Sequence, residues 1–203
     1  MRDEQQNVPR GLHYQPLMSE HWPDLERLFG EKGAFSGCWC MWWRLTGPQY
    51  KECRGQANKD AFKSVVEAGE VPGILAYSGD EPIGWCAIAP RDAYLRLREE
   101  RIRIFKSVDD RPVWSVTCFF VAKPFREQGM MLKLLQAAVA FAGEQGAQIV
   151  EGYPIDSEQP VTREDAFAVG PLSIFRKAGF VEVARRHEAR PIVRYYFDSA
   201  TAE

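Results

Sequence analysis

Residues 113–153, VWSVTCFFVAKPFREQGMMLKLLQAAVAFAGEQGAQIVEGY, constrain the fold more than any other stretch. They read as strand, turn, helix, strand. Val113 to Val121 is rich in β-branched and aromatic residues, which suits a buried strand. Pro124 and Gly129 then break the pattern. Leu132, Leu135, Val139 and Ala142 recur at helical spacing and define one apolar face. Gln148 to Tyr153 is strand-like again.

The turn carries the chemistry. Arg126, Gln128 and Gly129 precede a helix whose first N–H groups have no intrahelical acceptor. Those donors and the positive end of the helix dipole suit a pyrophosphate. Gly129 has no Cβ, so phosphate oxygens can approach the backbone, and Lys123 and Arg126 add positive charge. An ordinary strand-to-helix turn explains the same residues, and the turn alone does not choose between the two.

The segment VAKPFREQGMMLKLL resembles the acyl-CoA-binding signature of the GCN5-related N-acetyltransferase (GNAT) superfamily, Arg/Gln-x-x-Gly-x-Gly/Ala. Here it runs Arg126, Glu127, Gln128, Gly129, Met130, Met131, so Met131 replaces the second small residue. A second resemblance lies at Ser173 to Phe180, which is similar to the superfamily's last helix ending in Gly-Phe. The resemblance implies an α/β fold, with helices flanking a twisted, mainly antiparallel sheet whose central parallel pair splays apart. The pantetheine arm would lie in the splay, along the backbone of Phe119, Phe120 and Val121. Residues Arg126, Glu127, Gln128, Gly129, Met130, Met131 and Leu132 would meet the pyrophosphate. Many members carry a Tyr four residues before Gly-Phe and an Asn seven residues before that. Here those positions hold Phe175 and Ala168, so the usual acid for the leaving thiolate is missing.

Acyl transfer from a thioester to an amine needs a neutral amine, a donor for the developing oxyanion, and positioning. Glu151 is the first choice of general base, because it is ionisable in an otherwise apolar strand, where partial burial would raise its pKa. A carboxylate satisfied by neighbouring donors is the competing explanation. Tyr153, two residues on, shares its strand face and could hold the acceptor or relay a proton. Cys118, in the preceding strand, reads as core.

Elsewhere, Leu12 to Leu17 reads as a strand and His21 to Phe29 as a helix capped by Ser19. Trp39, Trp42 and Trp43 fall within one short segment. They form either a core anchor or the substrate wall that the resemblance places beside the acceptor amine, where indoles could bind a cation. Asn58 to Ala68 reads as a helix capped by Asn58, and Gly73 to Ser78 with Pro82 to Ala89 as a hairpin. Arg91 to Lys106 is heavily charged and reads as a solvated excursion, or as an arm facing the cofactor's phosphates or an acidic acceptor. Asp156 to Val169 is a polar loop. Pro171 to Ala178 reads as a helix, followed by closing strands at Phe180 to Ala184 and Pro191 to Phe197.

With 203 residues the chain suffices for one domain, taken as 11–198 behind a flexible 1–10. A net charge of -2 argues against a mainly electrostatic nucleic-acid binder. No apolar run is long enough to span a membrane, and the N-terminus lacks a signal-peptide core, so a cytoplasmic protein is expected. The five cysteines read as reduced thiols, and no metal site is expected. The expected function is direct transfer of an acetyl group from acetyl-CoA to a primary amine of a small molecule or peptide, with a homodimer left open. Two alternatives are carried: a non-catalytic acyl-CoA sensor, and an unrelated phosphate-binding α/β protein.

Overall fold

A computed structural model describes residues 9–99, 102–159 and 169–197. Its frame is a seven-stranded sheet in the order β1-β2-β3-β4-β5-β7-β6. The first three strands are β1 (Leu12–Pro16), β2 (Gly73–Ser78) and β3 (Glu81–Pro90), joined as antiparallel neighbours. Then come β4 (Trp114–Val121), β5 (Ile149–Gly152), β6 (Val181–Arg185) and β7 (Pro191–Tyr196). Only β4 and β5 run parallel; every other neighbouring pair is antiparallel. This mixed α/β sheet with its central parallel pair is the expected one.

The helices cover both faces. On one lie α1 (Trp22–Phe29) and α3 (Gln56–Glu67), with α2 (Gly47–Glu52) and α4 (Leu95–Arg98) beside them. On the other lie α5 (Met130–Glu144) and α6 (Leu172–Lys177). β3 is apolar on both sides, as a strand sandwiched between helical layers must be. Trp85 and Ala87 join the core under α1, whereas Ile83, Cys86 and Ile88 join the core under α5. Gly84 lets α5 come close, because a Cβ there would sit 2.9 Å from Leu134 Cδ1. The buried face of α5 is Leu134, Leu135, Ala138, Val139 and Ala142, rotated slightly from the expected one, since Leu132 is half-exposed.

Several local expectations change. Ser19 does not cap α1; a single 3₁₀ turn (Ser19–His21) precedes it and His21 occupies the cap position. Asn58 lies inside α3, where its fully buried amide donates to Gly37 O at 3.0 Å, tying the helix to the Trp segment. Helix α2 is an addition, and its signal was present in the sequence: Thr46 and Gln49 form a capping box, with Pro48 in the first turn. The charged excursion after β3 is not merely solvated, because Tyr94, Leu97 and Phe105 insert into the core with Trp43 and Tyr153. The N-terminal residues 1–8 and residues 160–168 of the polar loop lie outside the described residues. No helix among the described residues is long and apolar enough to cross a membrane.

Candidate active site at the fork between β4 and β5

Pairing between β4 and β5 runs from Trp114↔Val150 to Val116↔Gly152 and stops. β4 continues to Val121, paired on its other side with β3 through Gly84↔Val121, Trp85↔Phe120 and Cys86↔Phe119. Past β5 the chain swings away: Ile155 N donates to Gly170 O and Leu172 N to Ile155 O, so its new partner is the strand-like start of α6. Among the described residues, the β4 backbone from Thr117 to Val121 therefore has a strand partner on one side only. A bulge marks the fork, where Ala87 pairs with Cys118 and Ile88 with Val116, leaving Thr117 as the extra residue. Phe119, Phe120 and Val121, the expected contacts of the pantetheine arm, all lie beyond it.

The far end of β4 feeds the glycine turn. A 3₁₀ turn, Lys123–Phe125, leads to Glu127 at φ 62° and Gly129 at φ 71°, the residue preceding α5. Left-handed geometry there favours glycine. A Cβ built on Gly129 would meet nothing within 4 Å, so the space above the turn is open. Arg126 Nε donates to Val121 O at 2.9 Å, and among the described residues its Nη groups have no partner. Gln128 Nε2 donates to Pro124 O at 3.0 Å, bracing the turn. The free N–H groups of the first turn of α5, this exposed guanidinium and the open glycine suit a diphosphate. Half-buried Met131 lines the inner side, where a Cβ on Gly170 would lie 3.1 Å from its sulfur and 3.4 Å from Phe119. Met131 thus narrows the groove from the α5 side.

The other end of β4 is closed by a buried ion network. Glu151 faces Ser115 on one side and Arg194 on the other. Its side chain is 1% exposed. Arg91 Nη1 donates to Glu151 Oε1 at 2.7 Å, Tyr153 OH donates to the same oxygen at 2.6 Å, and Arg194 Nε donates to Oε2 at 2.8 Å. Because the Tyr153 proton is committed to Glu151, Ser115 Oγ must donate to the phenol oxygen, 3.1 Å away. Arg91 Nη2 reaches Leu97 O at 2.7 Å and Phe105 O at 2.6 Å, and Arg194 Nη1 reaches Asp109 Oδ2 at 2.7 Å. The network therefore pins the excursion after β3 to the sheet.

This geometry favours the competing explanation for Glu151, a carboxylate satisfied by neighbouring donors. A free base needs an available lone pair, but this buried carboxylate is held by two guanidiniums and a phenol. Its task is to neutralise Arg91 and Arg194. Tyr153 does share its face, as expected, but burial and then the Glu151 charge push its phenol well above its usual value. It therefore remains a neutral hydrogen-bond donor. The sequence could not show this, because Arg91 and Arg194 lie 60 and 43 positions away.

The tryptophans divide. Trp39 packs with Trp22 and Phe29 beneath α1, and Trp43 stacks on Tyr153 with ring centroids 6.1 Å apart. Both are core residues, 4% and 5% exposed. Half-buried Trp42 lies under the Arg96 guanidinium, 3.8 Å from its ring centroid, and against the edge of Tyr50. Its indole face is thus already covered by a cation. The excursion after β3 cannot serve as a phosphate arm. It precedes Trp114 whereas the glycine turn follows Val121, and eight strand residues separate the two by about 25 Å. It lines instead a cavity of about 1040 Å³, with Arg98, Arg103, Lys106 and Arg186 at the rim and Glu151 and Arg194 at the inner wall. Among the described residues, no group of three or more His, Cys, Asp or Glu side chains is arranged to hold a metal.

Phe175, at the position where the resemblance leads one to expect tyrosine, is fully buried below the fork, edge-on to Phe119 at 6.2 Å. Ala168 lies outside the described residues. A search of curated protein sequences gives no match. Among solved structures, the mosquito arylalkylamine N-acetyltransferase like 5b superposes with a TM-score of 0.58 at 9% identity, covering 92% of this chain and 100% of that one. The NatC complex bound to Gag peptide and CoA gives 0.53 at 12% identity, covering 92% and 98%. PaiA N-acetyltransferase from Thermoplasma acidophilum in complex with coenzyme A gives 0.52 at 11% identity, covering 92% and 99%. At such identities these likenesses establish the fold. The family model for the acetyltransferase (GNAT) family matches residues 39–170, which hold both the fork and the glycine turn, and on that match the chain belongs to the GNAT acetyltransferase family.

Proposed function

We propose that the chain transfers an acetyl group from acetyl-CoA directly to a primary amine of a small molecule or peptide. The observation that carries the proposal is the end of β4–β5 pairing at Val116↔Gly152, while β4 runs on to a glycine turn with open space above it. A diphosphate at residues 126–132 and a thioester arm along Phe119 to Val121 would use the backbone groups left free there. The donor set fits the group: main-chain N–H and one arginine for the diphosphate, an open strand edge for the amide-bearing arm.

Acyl-CoA supplies the activated carbonyl. The chain's own residues hold the arm against β4, aim the acyl group at the fork and exclude water on the α5 side through Phe119, Met131 and Phe175. Glu151 is not needed as a base in this reading; the attacking amine sheds its proton to water on the open side. The neighbours bound to CoA or to a peptide with CoA, and one named for arylalkylamines, support an amine acceptor without choosing its size.

One observation favours the second reading, an acyl-CoA sensor: Phe175 has no proton to give the leaving thiolate. Incubating the protein with acetyl-CoA and a panel of primary amines decides between them. Release of free CoA above the hydrolytic background with at least one amine is the expected result. Tight binding of acetyl-CoA without turnover on any amine would replace the enzyme with the sensor.

A further inference from the structure

Among the described residues, two buried hydroxyls near the fork lack a hydrogen-bond partner of ordinary geometry. Thr117 Oγ1 belongs to the bulged residue of β4, the first one past the last β4–β5 pair, and the residue is 1% exposed. Tyr94 OH comes from the residue just before α4, also 1% exposed, and its ring packs with Trp43 and Tyr153. The two hydroxyls lie beside each other, and Thr117 acts on the Tyr94 phenol as a hydrogen-bond donor, but the contact falls short of ordinary hydrogen-bond geometry. Arg44 adds a third orphan. Its Nη1 binds Glu70 at 3.0 Å, its Nη2 has no partner, and its guanidinium lies 5.3 Å from the Tyr94 ring centroid.

Buried polar atoms in folded proteins are nearly always paired, and two adjacent hydroxyls at the fork without a well-aligned partner call for an explanation. Neither hydroxyl proton has an acceptor at ordinary geometry, so an oxygen acceptor placed between them would satisfy both better than they satisfy each other. They flank the point where the open edge of β4 begins, on the sheet face opposite Phe175. We propose that Thr117 and Tyr94 form the polar end of the acyl pocket and donate hydrogen bonds to the carbonyl oxygen of the thioester. This inference rests on the acyltransferase reading and adds its oxyanion donors.

The chemistry balances without a protein acid. The amine nitrogen attacks the carbonyl carbon, and the carbonyl π pair moves onto oxygen, where the two hydroxyls hold it. When that pair returns, the C–S bond breaks and its electrons leave on sulfur, while the amine proton passes to water. Burial raises the Tyr94 phenol above its ordinary range, against the opposing pull of Arg44 and Thr117. A phenol raised in this way stays neutral and donates a hydrogen bond without giving up its proton, the property an oxyanion donor needs.

The test uses acetyl-CoA labelled with carbon-13 at the carbonyl, bound in the absence of amine, and reads the carbonyl stretch by isotope-edited infrared spectroscopy. In the wild-type protein the stretch should lie below its value in water, and Thr117→Val and Tyr94→Phe should each raise it. With any amine that is turned over, both variants should lower kcat about tenfold or more, with KM for acetyl-CoA little changed. Thr117→Val should also raise Tm by about 2–4 °C, because it removes an unsatisfied buried hydroxyl. A stabilised Thr117→Val protein together with an unmoved stretch in both variants would make the pair a packing defect and overturn the proposal. Failure of the wild-type protein to bind acetyl-CoA would be a different result, removing the acyltransferase reading and this inference with it.

Discussion

The two ends of β4 are built on opposite principles. At its start, Ser115, Glu151 and Arg194 stand side by side across three strands, with the side chains sealed into one ion network. At its end, Thr117 to Val121 have no strand on the β5 side among the described residues, and the following glycine turn is open above. The closed end fixes the relative position of β3, β4, β5 and β7, so the open end can leave backbone groups unpaired without the sheet slipping. Splaying a parallel pair costs hydrogen bonds, and a rigid anchor confines that loss to the stretch a ligand can repair.

This contrast predicts unequal responses to mutation. The largest effect is expected at the closed end. Glu151→Ala leaves Arg91 and Arg194 buried without their shared anion, and should cost about 3–5 kcal/mol of unfolding free energy in a urea titration. A loss of that size should be nearly independent of pH between 6 and 9 (roughly the range where both arginines stay charged). If turnover of Glu151→Gln instead falls at low pH and recovers at high pH, the carboxylate acts as a base and the contrast between the two ends collapses.

Next in size is the open end. Gly129→Val puts a β-branched side chain at φ 71° and into the space above the turn. It should weaken CoA binding about a hundredfold by calorimetry while costing only about 1–2 kcal/mol of stability. Unchanged CoA affinity would remove the phosphate turn from the site. The smallest effect is expected at Asp109, on the outer rim of the network. Hydrogen bonds from Arg194 and then Arg111 hold its carboxyl far below the ordinary 3.8. A carboxyl depressed in the folded state contributes stability that is complete above its unfolded pKa and is lost as the pH falls through the folded one. Asp109→Asn should therefore lower Tm slightly at pH 6. The difference from wild type should shrink steadily as the pH drops below about 4, where the unfolded chain takes up the proton first. A difference that persists undiminished to the lowest accessible pH would mean that Asp109 acts through packing.

Much of the fold was legible in the chain because it is written locally. The strand at 114–121, the glycine before α5, the α5 repeat and the Gly179-Phe180 stop after α6 depend on neighbours within a few residues. The proposed diphosphate site is local in the same way, since residues 126–132 are one continuous stretch, the glycine turn and the start of α5. The acceptor side is not. Trp39 and Trp43 looked like a candidate wall because the sequence shows three indoles together but not what covers them. Glu151 looked like a base because a lone carboxylate in an apolar strand gives no sign of partners on β7 and on the turn after β3.

The sequence by itself determined the order of the strands, the family and the glycine turn before α5, because hydrophobic period and glycine geometry act between near neighbours. Tertiary structure alone decided which polar groups are satisfied. It gave Glu151 its two arginines and left the Thr117 and Tyr94 hydroxyls without a hydrogen bond of ordinary geometry, because burial and pairing depend on residues that meet only when the sheet closes.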